Sequence, residues 1–444
     1  MFNAVSQPKY FIKTYGCQMN EYDSEAIEGM LCERNFIPAS SEADADVIVL
    51  NTCSVRNLAE QKVLGKAGLL GKLKRTKPNL VLAITGCMAQ NMKSNLLDRL
   101  PALDLVCGPN DIYQLPDLIE RALQGERKKV WVHDNSLNVM NADIPKRRGN
   151  PLSAWVSVMR GCNHSCTFCI VPHVRGKEVS RPPEDILKEV RQLVASGFKE
   201  ITLLGQNINA YGRDLKENRI NFPELLERIH DVDGLYRIRF LTSHPVDIRE
   251  DLMGAMANLE KVCGYLHFPV QSGSNRILAL MKRGYTKESY IKTVEKLRSI
   301  VPDVAISTDI IVGFPGETDE DFEQTQDVMK CIGFDAAYIF KYSIRSGTPA
   351  AIMPEQVPEP LKIERHARLL ELFETEALAK NQRFIGKEVE VLIEKKSDRF
   401  EGRLQGRTKD NRIVYLNGNA DSIGTFVRSR IARVSPFALY QDPI

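Results

Sequence analysis

Residues 160–173, Arg-Gly-Cys-Asn-His-Ser-Cys-Thr-Phe-Cys-Ile-Val-Pro-His (RGCNHSCTFCIVPH), carry the reading on which the rest of the chain depends. Cys162, Cys166 and Cys169 stand in a C-x3-C-x2-C spacing with no fourth cysteine after them. A closed structural zinc site or an ordinary iron–sulfur cluster normally takes four protein ligands. Buried cysteines can act as small hydrophobes. Three within eight residues, among Gly, Asn, His and Ser, instead suggest thiolates converging on one metal centre. Zinc held by these thiolates and by His164 or His173 is the competing assignment. The segment Asn163–Ser165 must bend tightly between two ligands, which places His164 poorly. His173 comes within reach only if the loop folds back.

Outward from this loop, the chain alternates strand and helix. Apolar, β-branched runs begin with AWVSVMR (154–160), just before the cysteines, and continue with EITLLGQ, YRIRFLT, YLHFPVQ, VAISTDIIVG and AAYIFKYS. Between and after them, helical patterns run over Pro183–Gly197, Arg249–Asn258, Thr286–Ile300, Asp319–Ile332 and Glu359–Arg383, the first opened by a proline pair. Six βα units are two short of a closed eight-fold barrel. The expectation is an open six-stranded partial barrel with function at the C-terminal strand ends.

The N-terminal part reads as a small parallel α/β sheet. Its strands are KYFIKTYG, DADVIVLN, NLVLAITG and ALDLVCG, with helices over Glu21–Arg34, Arg56–Lys74 and Ile112–Leu123. The polar, doubly basic stretch 125–151 reads as a linker or a phosphate-touching loop. Residues 384–444 change character, with short alternating strands (KEVEVLIEKK, FEGRLQGR, NRIVYLNG, GTFVRSRIARVS) separated by Gly, Asn and Asp. That pattern predicts a small antiparallel barrel. The whole net charge of +3 sits there, with eleven Lys or Arg against eight Asp or Glu. A basic terminal unit on a neutral body hints at an anionic partner such as RNA.

Other classes drop out on composition. No apolar run approaches the roughly 18 residues of a membrane helix. The N-terminus reads as neither a secretory nor an organellar address, so the expected compartment is the cytoplasm. Ten cysteines in 444 residues are too few for a disulfide scaffold. Three of them repeat one structural position: Cys17, Cys53 and Cys87 each follow a predicted parallel strand and precede a helix. Such loops share one edge of an open sheet, so the three should meet as a second three-thiolate site. Cys107 lies inside a strand and reads as core. Cys32, Cys263 and Cys331 read as packing residues.

The C-x3-C-x2-C after the first strand of a βα barrel resembles the radical S-adenosylmethionine (SAM) superfamily. YGCQMNEYDSE, NTCSVRNLAEQK and TGCMAQ resemble the methylthiotransferase family within it, and most closely its MiaB-type tRNA-modifying members. LLGQNINAYG, TSHP, FPVQSGS, MKRGYT, DIIVGFPGET and YSIRSGTPA extend the match nearly end to end. Two departures, His173 after CIVP where the family usually has Tyr and an irregular tail SPFALYQDPI, touch no cluster cysteine.

The resemblance implies three domains: a methylthiotransferase N-terminal domain (8–125), a radical SAM core (148–380) and a TRAM RNA-binding barrel (383–444). It implies two [4Fe–4S] clusters. One, on catalytic Cys162, Cys166 and Cys169, leaves an iron open to the methionine end of SAM and generates a 5′-deoxyadenosyl radical. The other, on Cys17, Cys53 and Cys87, supplies sulfur, which a second SAM methylates. The implied substrate is tRNA carrying N6-isopentenyladenosine next to the anticodon, methylthiolated at C2. Threonylcarbamoyl-adenosine tRNA or a ribosomal-protein aspartate is the alternative target, and a non-catalytic zinc protein binding RNA is the alternative class. Expected SAM contacts are Phe168, through its backbone, and Gln206, Asn207, Gln271, Ser272 and Asp309 at strand ends. Arg403, Arg407, Arg428 and Arg430 are expected to track RNA phosphates, with Tyr415 or Phe426 stacking a base. An electron donor and a sulfur donor or cluster carrier are further expected partners of the chain, which is taken as a monomer.

Overall fold

In the computed structural model, residues 7–54, 57–134, 144, 146–149 and 152–442 are described, with the side chains of residues 57–59 excepted. The first alternation folds into a six-stranded parallel sheet. Its strands are β1 (Lys9–Tyr15), β2 (Ile37–Pro38), β3 (Val47–Thr52), β4 (Val81–Gly86), β5 (Leu105–Cys107) and β6 (Lys129–Trp131), in the order β2-β1-β3-β4-β5-β6. β3 and β4 are buried along their whole length, as their unbroken apolar runs require when helices cover both faces. One apolar cluster lies on each face, around Ile27 and Leu118 on one side and Val63 and Leu96 on the other. β6 lies within the stretch expected to be linker, whose residues 135–143, 145, 150 and 151 fall outside the described residues, as does Arg56.

The second alternation gives β7 (Ser153–Ser157), a short antiparallel pair β8 (Met159–Arg160) and β9 (Val179–Ser180), then β10 (Glu200–Leu204), β11 (Arg237–Phe240), β12 (Tyr265–His267), β13 (Ala305–Val312) and β14 (Ala336–Lys341). β7, β10 and β11 pair in parallel, as do β12, β13 and β14. A single parallel bridge, Ile238 to Val262, joins the two halves. This is the open six-stranded partial barrel in chain order. A helix missed in the sequence, Phe222–His230, is capped by Asn221, whose side chain accepts from Glu224 in a reciprocal capping box.

The terminal unit contains β15 (Glu388–Lys396), β16 (Arg403–Thr408), β17 (Ile413–Asn417), β18 (Phe426–Arg430), β19 (Arg433–Val434) and β20 (Ala438–Tyr440), ordered β18-β15-β16-β17-β20-β19. It is antiparallel except for β17 with β20. The exception comes from the tail, where buried Ala438–Tyr440 forms a strand that its irregular sequence concealed.

The units interlock. The turn after β16 seats under the partial barrel, at the end opposite the cysteine loop. Arg239 donates to the carbonyls of Thr408 (2.7 Å) and Lys409 (3.0 Å), and Arg237 to that of Arg407 (2.9 Å). At the other end, Met19 and Tyr22 of helix Gln18–Glu33 pack on Leu204, Trp155 and Leu241 of the barrel.

Candidate metal centres

β1, β3 and β4 are adjacent and parallel, so their C-terminal ends bring Cys17, Cys53 and Cys87 to one edge. The Cys53 thiol is hydrogen-bonded to both Cys17 and Cys87. A buried polar lock holds the loops in place. Asn20 Nδ2 donates to Asn51 Oδ1 (3.0 Å), and Asn51 Nδ2 returns a bond to the Asn20 carbonyl (2.8 Å). Gly86 before Cys87 has φ +92°, and a Cβ there would collide with the Thr52 carbonyl. Only glycine reconciles that backbone with that approach.

Charge is arranged around these thiols. Hydrogen bonding from Cys53, reinforced by the guanidinium of Arg175, holds Cys17 and Cys87 below the ordinary thiol pKa. Cys53, the shared proton holder, is pushed well above it. Arg175 Nε donates to Cys87 Sγ at 3.2 Å. Arg175 belongs to the other domain, on the short helix Val171–Arg175 just past Cys169. Cys87 also packs in an apolar cluster with Ile170 and Val174 of that segment. The two cysteine sets therefore face each other across the domain boundary.

The second set is framed by β8 and β9. Gly161, at φ +78°, donates its N–H to Gln206 Oε1 (2.6 Å), and Cys162 N–H reaches the Gly176 carbonyl (3.2 Å). Burial pushes the Cys162 thiol up to about 12 and that of Cys169 up to about 11. These thiols keep their protons until a metal displaces them. Arg283 Nη1 donates to buried Cys166 Sγ at 3.3 Å.

All ten cysteines are free thiols. Three thiolates on one zinc ion, each about 2.3 Å away, would lie within about 4 Å of one another. Among the described residues, the only three potential ligand atoms that all lie within 4.8 Å belong to His164, His244 and Asp247, so neither cysteine set is that compact. His164 is turned to Asp247 (2.5 Å) and stacked on His244 (3.7 Å between centroids), and His173 is exposed. Neither histidine completes a zinc site with the cysteines. The His164, His244 and Asp247 group itself is crowded by Arg213, 2.7 Å from Asp247, and by Arg283, whose charge adds to burial in pulling His244 down to about 2.

The expected SAM contacts separate by role. Gln206 holds the cysteine loop through Gly161. Asn207, fully buried, donates to Asp247 (2.8 Å) and Glu178 (3.2 Å) while its Oδ1 has no partner. Gln271 sits at φ +66° with an unpartnered buried Oε1, a strained placement of the kind concentrated at ligand sites. Asp309 is half-buried beside His267 (3.4 Å). The Ser272 hydroxyl is spent on Thr325 and the backbone of Ser274. Phe168 packs among Ile277, Phe314 and Tyr342.

One signal was read in the sequence only at Asn207 and Gln271. Ser157, Asn207, Asn209, Ser243, Gln271 and Tyr342 all carry buried polar atoms without partners, and all lie at or just past the C-terminal ends of barrel strands. Buried polar groups are ordinarily paired. A rim of unpaired ones fits a polar cofactor such as SAM.

The terminal unit corrects the expected base-stacking residues. Tyr415 is buried against Tyr440 and Phe400, so it cannot stack a base. Phe426 lies against Tyr236 and under the Arg237 guanidinium, inside the domain seat. Arg407 is drawn to Glu394 (3.4 Å) and Arg403 to Asp442 (3.9 Å), whereas Arg428 and Arg430 project from exposed positions on β18. Elsewhere, Cys107 and Cys263 are buried, as read, but Cys32 and Cys331 are exposed and not packing residues.

Family profiles match this arrangement in three segments. Residues 156–329 match the Radical SAM superfamily, 9–108 the Uncharacterized protein family UPF0004, and 382–440 the TRAM domain. A tRNA-2-methylthio-N(6)-dimethylallyladenosine synthase of Carboxydothermus hydrogenoformans is 48% identical over 98% of this chain and 99% of its own. One from Clostridium botulinum (strain Okra / Type B1) is 44% identical over 100% and 98%. Among solved structures, the radical SAM methyltransferase TsrM from Kitasatospora setae superposes with a TM-score of 0.59 at 13% identity, covering 78% of this chain and 77% of that one. The cobalamin-dependent radical enzyme OxsB gives 0.53 at 15%, over 83% and 56%. At those identities the likeness is one of fold. The full-length similarity to the curated relatives, with the radical SAM barrel and its three-cysteine loop, makes this chain an enzyme of the radical SAM superfamily, in the family of the tRNA-2-methylthio-N(6)-dimethylallyladenosine synthases.

Proposed function

We propose that the enzyme methylthiolates C2 of N6-isopentenyladenosine beside the anticodon of tRNA, in the cytoplasm, with two [4Fe–4S] clusters and two SAM molecules per turnover. The observation that carries the two-centre reading is the facing of two separate three-thiol sets across one domain boundary, Cys17, Cys53 and Cys87 against the loop of Cys162, Cys166 and Cys169. When bound, the clusters and SAM supply radical and sulfur chemistry that no acid or base on the chain can perform on an aromatic C–H bond. The chain supplies geometry and isolation. Cys162, Cys166 and Cys169 would hold the SAM-binding cluster by three corners, with Gln206 fixing their loop. Asn207, Gln271 and Asp309 offer polar atoms toward SAM. Cys17, Cys53 and Cys87 would hold the sulfur-bearing cluster, and Arg428 and Arg430 offer charge to the RNA backbone.

The test combines metal analysis with product analysis. After anaerobic reconstitution the full chain should carry about eight irons, falling to about four in Cys17→Ala/Cys53→Ala/Cys87→Ala. With SAM and a reductant, isopentenyladenosine-containing tRNA should gain one methylthio group by nucleoside mass spectrometry. Modification of threonylcarbamoyl-adenosine tRNA or of a ribosomal protein instead would overturn the substrate assignment. Stoichiometric zinc with no SAM cleavage would overturn the enzymatic one.

A further inference from the structure

Three buried charged side chains bind the two cysteine loops together. Asp23, on the helix that follows Cys17, is 1% exposed. It accepts from Arg175 Nη1 at 2.7 Å and from Arg160 Nη2. Arg160 lies two residues before Cys162 and Arg175 six after Cys169, so the arginines flank the radical SAM loop while their common carboxylate belongs to the other domain. Both are 4% exposed. One carboxylate against two guanidiniums leaves a buried positive charge, which is costly unless a further negative group compensates it. Arg175 points to where that group belongs. Its Nε already meets Cys87 Sγ at 3.2 Å, and its Nη2 is enclosed with no acceptor among the described residues.

A four-iron cluster on three thiolates is net negative, becomes more so on reduction, and accepts hydrogen bonds at its sulfurs. We propose that Arg175 is a positioning residue of the auxiliary cluster, its guanidinium hydrogen-bonded to the Cys87 sulfur and to the cluster, and its ion pair with Asp23 tying that cluster to the radical SAM loop. This rests on the reading that Cys17, Cys53 and Cys87 hold a cluster. Donors to cluster sulfurs stabilise the reduced state and raise the potential. Arg175 therefore makes the auxiliary cluster easier to reduce than its buried surroundings alone would allow. Lysine keeps the charge but offers one nitrogen where Arg175 spans Cys87 and Asp23 with two.

The experiment uses the full chain carrying Cys162→Ala, Cys166→Ala and Cys169→Ala, so that the auxiliary cluster is observed alone. A parent protein with no four-iron cluster sinks the underlying reading, not the role of Arg175. Given the cluster, R175K should lower its one-electron reduction equilibrium about tenfold, about 59 mV in midpoint potential. An unchanged midpoint overturns the proposal. A second measurement needs no change at Arg175. With 15N-arginine, the reduced cluster should show nitrogen hyperfine coupling that survives R345K, since Arg345 also carries charge near Cys53. Absence of that coupling overturns the proposal even where R175K fails to hold its cluster.

Discussion

The site rests on residues whose backbone permits no substitute. Gly86 and Gly161, both at positive φ, precede Cys87 and Cys162. At Gly161, φ is +78° and a Cβ would run into the Lys177 backbone carbonyl across the β8–β9 pair. Gly161→Ala must therefore open that pair and release the hydrogen bond to Gln206. We expect iron in the reconstituted protein to fall from about eight towards about four, with Cys17, Cys53 and Cys87 unaffected. Anaerobic iron titration of the full chain measures this, and a full complement of iron in the variant contradicts it. At this scale the sequence was readable where a residue type repeats at one structural position, as with Cys17, Cys53 and Cys87, which adjacent parallel strands bring to one sheet edge. It was silent where a role depends on distant partners. Nothing local to Ser272 tells that its hydroxyl faces Thr325, and nothing near Tyr415 tells that Tyr440, from an unrecognised strand, covers it.

Elements were legible in proportion to their periodicity. The six barrel strands and five of the helices around them follow from apolar alternation, and β3 and β4 from runs buried on both faces. The two-residue strands β2, β8 and β9 and the tail strand β20 are too short to carry a period and exist because neighbours pair with them. The connection between domains was equally opaque, since its order is electrostatic. Glu189, on helix Pro183–Ala195 and 4% exposed, accepts from Arg148 (2.6 Å) and Arg181 (2.7 Å) and pairs with Lys146 (3.0 Å). Arg148 also holds Glu25 of the N-terminal domain. Burial opposes ionisation of Glu189, but the three cations outweigh it and hold its carboxyl at about 2 against an ordinary 4.5. A depressed carboxylate stabilises the fold above its unfolded pKa, and that stability is lost as pH falls through the folded one. The contribution, on the order of 3 kcal/mol, should disappear between about pH 4.5 and 2. Glu189→Gln should remove this acid sensitivity and cost about 3–5 kcal/mol at neutral pH, because three cations lose their counter-charge. Urea midpoints of both proteins across that range test it; parallel acid profiles contradict it.

At the scale of the molecule, the arginines and lysines of the terminal unit fall into two groups by the direction they face. The inward group serves the seat under the barrel. Arg412 bonds Asp335 and Asn381, Lys409 reaches the Glu260 carbonyl, and the Arg407 backbone receives Arg237 while its side chain turns to Glu394. Composition alone counted all of these as one basic face, since a sum of charges carries no direction. The outward group includes Arg428 and Arg430, exposed on β18, and these are the residues we expect to displace counterions from RNA. Each phosphate contact contributes a slope of about 0.9 for duplex, or about 0.7 for a single strand, to the fall of log K with log salt. Arg428→Ala and Arg430→Ala should therefore each flatten the salt dependence of binding to an anticodon stem-loop by about that amount. Arg407→Ala should leave the slope unchanged and lower the melting temperature instead, since it removes the side chain that ties Glu394 to Asn411 in the turn the barrel holds. Fluorescence anisotropy over a potassium chloride series, with calorimetry on the same proteins, separates the two effects. If Arg407→Ala flattens the slope as much as Arg428→Ala does, the division into inward and outward charge is wrong, and RNA must reach the turn that holds the barrel.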